Sequence, residues 1–552
     1  MDVGEMQRKL SRWAEEDSDH RFFDLHHLLY DQDWLRLAHD YVAQNAGSKT
    51  AGCDGINMRE FDLELESNLD QLAQELKTES FEPYPVRRVC IPKSNGKMRS
   101  LGIPSIKDRI VQEAIRMALE PIYEADFSQY SFGFRPNRRT MDAIKYIYCC
   151  TFGQHRYYWI IEGDISACFD TIHHQRLMEL LRERIADRKL LDLIWHFLRA
   201  GVMEGKLFRD TNRGTPQGGI VSPLLANIYL HELDKYMERY TTLTDYQRRK
   251  RRQQGEANFL YDRYADDFVT MCNGTKAQAE EMKEELSHFV SEYLYLDLSA
   301  EKTKITHLND GFNFLGFRLQ RSLGSGGMMK TRILIPPEAM DRVRDKIRNA
   351  TAPSTCQDSV NAKILSLNRI VAGWCRYYQY TSRASTQFEE IGSYLYWRMA
   401  HWLGRKFDLS TAEVMRRYFK RESFETAQHR LRLPSEFPTR RYTVSVKKPN
   451  PYTMQEITLE REELPEETEW TGYEKRPGMA DLRPAILERD GYTCQLCDES
   501  VTTETARVDH IKAVRRFKRP VDANHPDNLW TLCIACHQWK TEFDRRMESR
   551  MR

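Results

Sequence analysis

The sequence predicts an α+β protein of several domains, and three observations carry that reading. The stretch Phe259-Leu-Tyr-Asp-Arg-Tyr-Ala-Asp-Asp-Phe-Val-Thr-Met271 reads as strand, tight turn and strand, with Asp266 and Asp267 at the tip. Amphipathic stretches with apolar residues at helical spacing, such as 59–78 and 276–294, flank it. Near the C-terminus, behind an acidic stretch, Cys494-x-x-Cys497 and Cys533-x-x-Cys536 mark a small further domain. A chain of 552 residues suffices for three or four domains of roughly 150 residues each.

The hydrophobic fraction of 41% supports ordinary globular cores, and a net charge of +2 leaves overall charge uninformative about partners. Local charge says more. Residues 341–450 hold 21 Lys and Arg against 10 Asp and Glu, a net of +11, and residues 451–470 then hold seven Glu against one Arg. A basic block closed by an acidic spacer fits a nucleic-acid-binding module and a linker, with a solvated helical face as the plainer reading. No apolar run is long enough to cross a bilayer, and the N-terminus lacks a signal pattern. Eight of the 12 cysteines are scattered from Cys53 to Cys375, as expected of core thiols in a reducing compartment.

Taken in order, residues 5–45 carry helical spacing through Trp13, Phe22, Leu28, Trp34 and Ala38, and Gly52-Cys-Asp-Gly55 marks a turn. Two short strands around Ser94-Asn-Gly96 predict a hairpin, and Lys93 and Arg99 on its arms could face one polyanion such as a nucleoside triphosphate. A helix is expected over 107–122. In Ser131-Phe-Gly-Phe-Arg-Pro136, Phe132, Phe134 and Arg135 either clamp a nucleic-acid backbone or belong to the core. An apolar strand from Tyr157 delivers Asp164 at its end, a common place for a metal ligand, and Asp170 is expected to cap the helix after it. In Arg213-Gly-Thr-Pro-Gln-Gly-Gly219, the glycines allow close backbone approach to a ligand and Gln217 offers an amide. Helix is expected from Leu224 to Tyr240, a basic loop at Arg248–Arg252, and strands ending at Phe317. Adjacent acids repel, so a tip that holds Asp266 and Asp267 calls for a cation, although aspartates are also common in exposed turns.

The blocks Ile91-Pro-Lys93 with Gly96-Lys-Met-Arg99, Gly163-Asp-Ile with Phe169-Asp170, Gly214-Thr-Pro-Gln-Gly218, Tyr264-Ala-Asp-Asp267, Glu301-Lys-Thr-Lys304 and Phe314-Leu-Gly-Phe317 follow in that order. Together they resemble the reverse transcriptases encoded by bacterial and organellar group II introns. The resemblance implies a right-hand polymerase of fingers and palm, the palm an antiparallel sheet backed by helices. It implies that Asp164, Asp266 and Asp267 hold two Mg²⁺ ions, with Asp164 and Asp266 the main bridging ligands. It places Phe169 under the nucleotide sugar, where an aromatic ring excludes a 2′-hydroxyl. Lys93 and Arg99 would grip the triphosphate of a deoxynucleotide, Gln217 would pack by its sugar, and Lys302 or Lys304 would approach the pyrophosphate. The block Leu367-Asn-Arg-Ile-Val-Ala-Gly-Trp-Cys-Arg-Tyr-Tyr378 resembles the family's helical thumb and maturase region. There Arg369, Arg376, Lys406, Arg416, Arg417 and Lys420 are candidates to face intron RNA, and Trp374, Tyr377 and Tyr378 are either stacking or core residues.

Two Cys-x-x-Cys knuckles in one small domain read as a structural zinc site of Cys494, Cys497, Cys533 and Cys536. Between and after them, Asp509-His510, Asn528 and His537 resemble the HNH endonuclease motif. That motif implies a ββα-metal fold with His510 as general base, Asp509 and His537 holding one divalent ion, expected to be Mg²⁺, and Asn528 fixing the loop. The basic run Lys512–Arg519 would hold DNA. The boundaries implied are an N-terminal helical extension (1–50), fingers and palm (51–320), thumb and maturase region (321–450), acidic connection (451–479) and HNH domain (480–552). The function implied is a mobile-intron protein: it assists splicing of its intron RNA, nicks target DNA, and copies the RNA from the cut end. It would work in the bacterial cytoplasm within a ribonucleoprotein, with no membrane partner; the oligomeric state is left open. The alternatives are a retron-like, diversity-generating or defence-associated reverse transcriptase, and a splicing maturase without polymerase activity.

Overall fold

The computed structural model describes residues 1–92, 98–152, 157–204, 207–209, 213–215, 218–324, 328–420, 422–440, 442, 450–453, 479–496, 499–511, 523–534, 536–537 and 540. The chain divides into two compact units. One comprises Met1–Asp310 with Thr443–Glu460, the other Gly311–Tyr442 with Arg461–Arg552.

The first unit holds two sheets. In chain order its strands are β1 (Val86–Pro92), β2 (Met98–Ile103), β3 (Trp159–Asp164), β4 (Val202–Glu204), β5 (Leu207–Arg209), β6 (Phe259–Tyr264), β7 (Asp267–Cys272) and β8 (Lys304–His307). The first sheet runs β2-β1-β4-β5, and β1 pairs antiparallel with β2 and parallel with β4. The predicted hairpin loop 93–97, and with it Lys93, lies outside the described residues. Arg99 pairs with Ile91 through the backbone, and its side chain lies outside them too.

The second sheet runs β6-β7-β3-β8 and is antiparallel throughout. Helices Ser222–Thr241 and Lys276–Leu294 share a core with its Ile161, Phe259, Tyr261 and Phe268 through Leu230, Leu233, Met282 and Leu286. This is the antiparallel sheet backed by helices that the resemblance implies. Helix Ile106–Asp126 is buried on nearly every side, its polar residues Asp108, Arg109, Gln112, Glu113 and Glu120 included. The N-terminal helices pack on it: Trp34 Nε1 donates to the Ala114 carbonyl at 3.0 Å and Gln7 to that of Met117 at 3.0 Å. After leaving this unit the chain returns to it, where Asn450 Nδ2 donates to Ser11 Oγ at 2.8 Å and Tyr452 to Glu120.

Two local expectations are corrected. Residues Arg248–Arg252 belong to a helix, Asp245–Gln253, because Thr244 and Gln247 form a capping box and Arg251 donates to the Ala257 carbonyl at 2.9 Å. Asp170 does not cap the following helix. It lies inside the one-turn helix Cys168–Thr171, and His173 caps His174–Arg184 by accepting from Arg176 N at 3.3 Å. The glycines at 214 and 218 serve close approach of the chain to itself: a Cβ on Gly214 would lie 2.8 Å from the Asp170 backbone, and one on Gly218 2.3 Å from the Gly102 carbonyl.

In the second unit β9 (Phe312–Phe314), β10 (Phe317–Leu323) and β11 (Met329–Leu334) form an antiparallel meander. Helices Pro337–Ala350, Val360–Tyr378, Ala384–Phe407 and Thr411–Tyr418 follow, then the two-residue strands β12 (Phe419–Lys420) and β13 (Ser423–Phe424). In the C-terminal part helix Met479–Arg489 precedes β14 (Ala506–His510), which pairs antiparallel with β15 (Leu529–Cys533). Residues 534, 536, 537 and 540 are helical, which completes a ββα order. The acidic residues 454–478 and the basic run 512–519 lie outside the described residues. Among the described residues no helix is long and apolar enough to cross a membrane.

Candidate active sites

The first candidate site lies at the end of β3. Register sets it: Asp164, the last residue of β3, pairs with Asp267, the first of β7, and Asp267 pairs across the hairpin with Tyr264. Ala265 and Asp266 form the two-residue turn, with Ala265 in the left-handed region at φ 58°. Thus Asp266 stands at the tip and Asp267 on the strand. Glycine is required at 163 because the Phe268 ring lies over it; a Cβ there would come within 2.1 Å of that ring. Ser299 N donates to the Asp164 carbonyl at 2.8 Å, which hooks the Glu301-Lys-Thr-Lys304 segment onto the same end.

Lys302 Nζ lies 2.7 Å from Asp164 Oδ1, whereas Lys304 begins β8 opposite Glu162. Of the two lysines, Lys302 reaches the acids, in an exposed pair that solvent screens. Burial, then the charges of Asp266 and Asp164, push the Asp267 carboxyl up to about 7, and Lys302 opposes the rise. Crowded acids of this kind fit a hard cation with oxygen ligands. Their ligand atoms do not form a closed set of three within 4.8 Å of one another.

A buried network that sequence reasoning missed fixes the turn. Arg263 is fully buried and forks onto Asp234 at 2.7 and 2.6 Å. Its remaining amine donates to the Ala265 carbonyl at 3.0 Å and to Asn227 Oδ1 at 3.0 Å. Asn227 Nδ2 in turn donates to the Gly133 carbonyl at 2.8 Å. Gly133 passes directly beneath the turn, since a Cβ there would lie 2.3 Å from Ala265 N. Around it Phe132 N donates to the Arg263 carbonyl and Arg263 N to that of Tyr130, so this loop adds an edge to β6. Phe132 is core, and Arg135 forks onto the buried Glu124 at 2.9 and 2.7 Å, which leaves it no clamp to form. Phe134 is 52% exposed and meets Phe169 edge-on at 6.2 Å.

Phe169 is buried, and its carbonyl accepts from Thr215 N at 2.6 Å. Gly214 N bonds the Ile172 carbonyl and His174 Nε2 the Gly214 carbonyl, so the Arg213–Thr215 segment is laced to Phe169. Gln217 lies outside the described residues.

In the maturase-like helices the candidates separate. Arg369, Arg376, Arg416, Arg417 and Lys420 are exposed. Lys406 is instead held by the Cys356 carbonyl at 2.7 Å and the faces of Trp402 and Phe407. Trp374 sits in a ring cluster with Tyr378 and Phe388. Tyr377 and Tyr378 donate to the carbonyls of Leu315 and Gly316 at 2.8 and 3.1 Å. Leu315 and Gly316 both have positive φ, and the two tyrosines hold that turn. The Phe314–Phe317 and Leu367–Tyr378 motifs therefore meet each other.

The second candidate site is on β14 and β15. Asp509 Oδ1 accepts from His510 N at 2.8 Å, and its Oδ2 lies 3.1 Å from the Nζ of buried Lys540. Lys540 is three residues beyond His537. His510 Nε2 bonds Asn524 Oδ1 at 2.9 Å, a partner the motif did not indicate. Asn528 Nδ2 donates to the Ala523 carbonyl at 2.8 Å, and Ile511 N to the Asn528 carbonyl at 2.7 Å, which closes the loop beyond His510. The Sγ atoms of Cys494, Cys533 and Cys536, all buried, lie within 4.8 Å of one another. Thiolates around Zn²⁺ at about 2.3 Å stand roughly 3.8 Å apart, so the three fit zinc, and Cys497 lies outside the described residues.

With this geometry in hand, the relatives are informative. Residues 91–319 match the family described as reverse transcriptase (RNA-dependent DNA polymerase), residues 340–419 the group II intron maturase-specific domain, and residues 494–543 the HNH endonuclease family. Protein YkfC of Escherichia coli (strain K12) is 42% identical over 375 residues, covering 64% of this chain and 96% of YkfC. The group II intron-encoded protein LtrA of Lactococcus lactis subsp. cremoris is 36% identical over 397 residues, covering 62% of this chain and 64% of LtrA.

Proposed function

The chain belongs to the group II intron-encoded reverse transcriptase and maturase family with a C-terminal HNH endonuclease domain, and on that premise we propose that it unites three activities on one intron. As a maturase it binds its intron RNA, in a cytoplasmic ribonucleoprotein, and assists splicing. As an endonuclease it nicks one strand of the target DNA. As an RNA-directed DNA polymerase it extends the nicked end along the intron RNA, from deoxynucleoside triphosphates. Tethering both sites in one chain raises the effective concentration of the new primer end.

At the polymerase site Asp164, Asp266 and Asp267 would hold two Mg²⁺ ions. Bound there, the ions lower the pKa of the primer hydroxyl and offset charge on the departing pyrophosphate. Phe169 underlies the sugar and excludes a 2′-hydroxyl. Lys93 and Arg99 grip the triphosphate, and Gln217 packs by the sugar. Lys302, which pairs with Asp164, approaches the pyrophosphate. At the nuclease site His510 takes a proton from the attacking water, with its ring oriented by Asn524 and its loop closed by Asn528. Asp509, paired with Lys540, and His537 would hold a divalent ion.

The observation that supports the polymerase reading best is the cross-strand register of Asp164 with Asp267, beside a turn that carries Asp266 at its tip. Primer extension on an RNA template tests it. Asp266→Ala should lose extension by at least a thousandfold, about 4 kcal/mol of transition-state stabilisation. Extension within tenfold of the unaltered protein would overturn the assignment.

A further inference from the structure

Helix Ala384–Phe407 presents a face that no sequence motif marks. Tyr394, Trp397, Arg398 and His401 follow at i, i+3, i+4 and i+7 and so share one stripe. Each meets the C-terminal part of the same unit. Tyr394 packs edge-on to Trp530 at 5.8 Å, and Lys540 Nζ lies over the Trp397 ring at 5.1 Å. Arg398, only 2% exposed, donates to the carbonyls of Gln495 at 2.9 Å and Leu496 at 3.0 Å, and through Nε to Thr351 Oγ1 at 2.9 Å. His401 Nε2 lies 3.7 Å from Cys536 Sγ.

Gln495 and Leu496 are the two residues between Cys494 and Cys497. Their carbonyls point at Arg398 only while the knuckle keeps its turn, and a knuckle of this size keeps its turn through its metal. The charges agree as well. Four thiolates around Zn²⁺ leave a net charge of about −2, which a buried guanidinium and an imidazole N–H both favour. A hydrogen-bonded thiolate is also a better-held ligand, as outer-shell donors to metal ligands generally are.

We propose that the zinc knuckle is the joint that fastens the nuclease domain to helix Ala384–Phe407 of the maturase region. Arg398 and His401 are its positioning residues: Arg398 grips the knuckle backbone, and His401 donates Nε2–H to the Cys536 thiolate. The consequence is that zinc orders both sides of the joint, the helix included. This rests on the four cysteines binding zinc, and the test separates the two ideas.

The test uses the full-length protein, zinc content by elemental analysis, and hydrogen exchange of peptides covering 384–407 and 484–496, with and without a chelator. One zinc per chain is expected. Chelation should raise exchange in both peptides together, and His401→Leu should weaken zinc by about tenfold in chelator competition. His401→Gln, which keeps a side-chain N–H, should recover part of that loss. Arg398→Met should raise exchange in 484–496 with one zinc retained. Absence of zinc from the unaltered protein would remove the zinc reading itself. Zinc present, with exchange in 384–407 unmoved by chelation or with His401→Leu binding zinc within twofold, would overturn the joint alone.

Discussion

Arg263 shows how much of the proposed polymerase site depends on a residue outside its acids. Its guanidinium makes four hydrogen bonds inside the protein, to Asp234, Asn227 and the Ala265 carbonyl. Burying a charge this completely is tolerated only with a partner as well placed as Asp234, whose carboxyl Arg263 and His231 keep below its usual range despite full burial. Arg263→Met should therefore cost about 3–5 kcal/mol in chemical denaturation, because it strands Asp234. The double variant Arg263→Met, Asp234→Leu should recover most of that stability while primer extension stays low, because the turn has lost its anchor. Extension recovering along with stability would show that the pair merely fills the core. None of this was legible in the sequence. The Tyr-Ala-Asp-Asp tip is a local pattern of alternating apolar residues around two acids. The Arg263–Asp234 pair joins a strand to a helix 29 positions away, and no local spacing signals it.

At the scale of elements, those with strong periodicity were the legible ones. Helix Lys276–Leu294 was expected at 276–294, and β6 and β7 meet at the predicted turn. The three-residue strands β4 and β5 were invisible because so few residues establish no period. The basic run at 248–252 read as loop because its helix shows charge and little apolar stripe; the Thr244–Gln247 capping box was the signal available. Helix Ile106–Asp126 carries a pH signature at its start. Ser105 caps it, and the nearby Asp108 carboxyl is buried against Tyr84 N, so burial pushes its pKa from 3.8 up to about 7. The folded chain then holds a proton that the unfolded chain releases between those values, and stability falls as pH rises through that window. Asp108→Asn should raise the melting temperature more at pH 8 than at pH 5. An equal gain at both would place the cause in packing and not in charge.

Over the whole molecule, the order of motifs was legible, and outside the three aspartates their meeting was not. The Leu315–Gly316 turn and the Tyr377–Tyr378 pair are 62 residues apart and bond directly. His401 and Cys536 are 135 residues apart and touch. Tertiary contacts also sort the cations of the basic block. Lys406 faces inward, while Arg416, Arg417 and Lys420 remain in solvent. Replacing those three with Gln should weaken intron-RNA binding and flatten the slope of log affinity against log salt by roughly 2–3. An unchanged slope would place the RNA surface elsewhere.

The central claim is that two separable sites act in succession, the nuclease making the end that the polymerase extends. A coupled assay with intron RNA, target DNA and deoxynucleotides tests it most directly, reading nick and extension on one gel. The account predicts that Asp266→Ala nicks but does not extend, and that His510→Ala does not nick yet extends DNA nicked beforehand. Extension by Asp266→Ala, or nicking by His510→Ala at the unaltered rate, would contradict it.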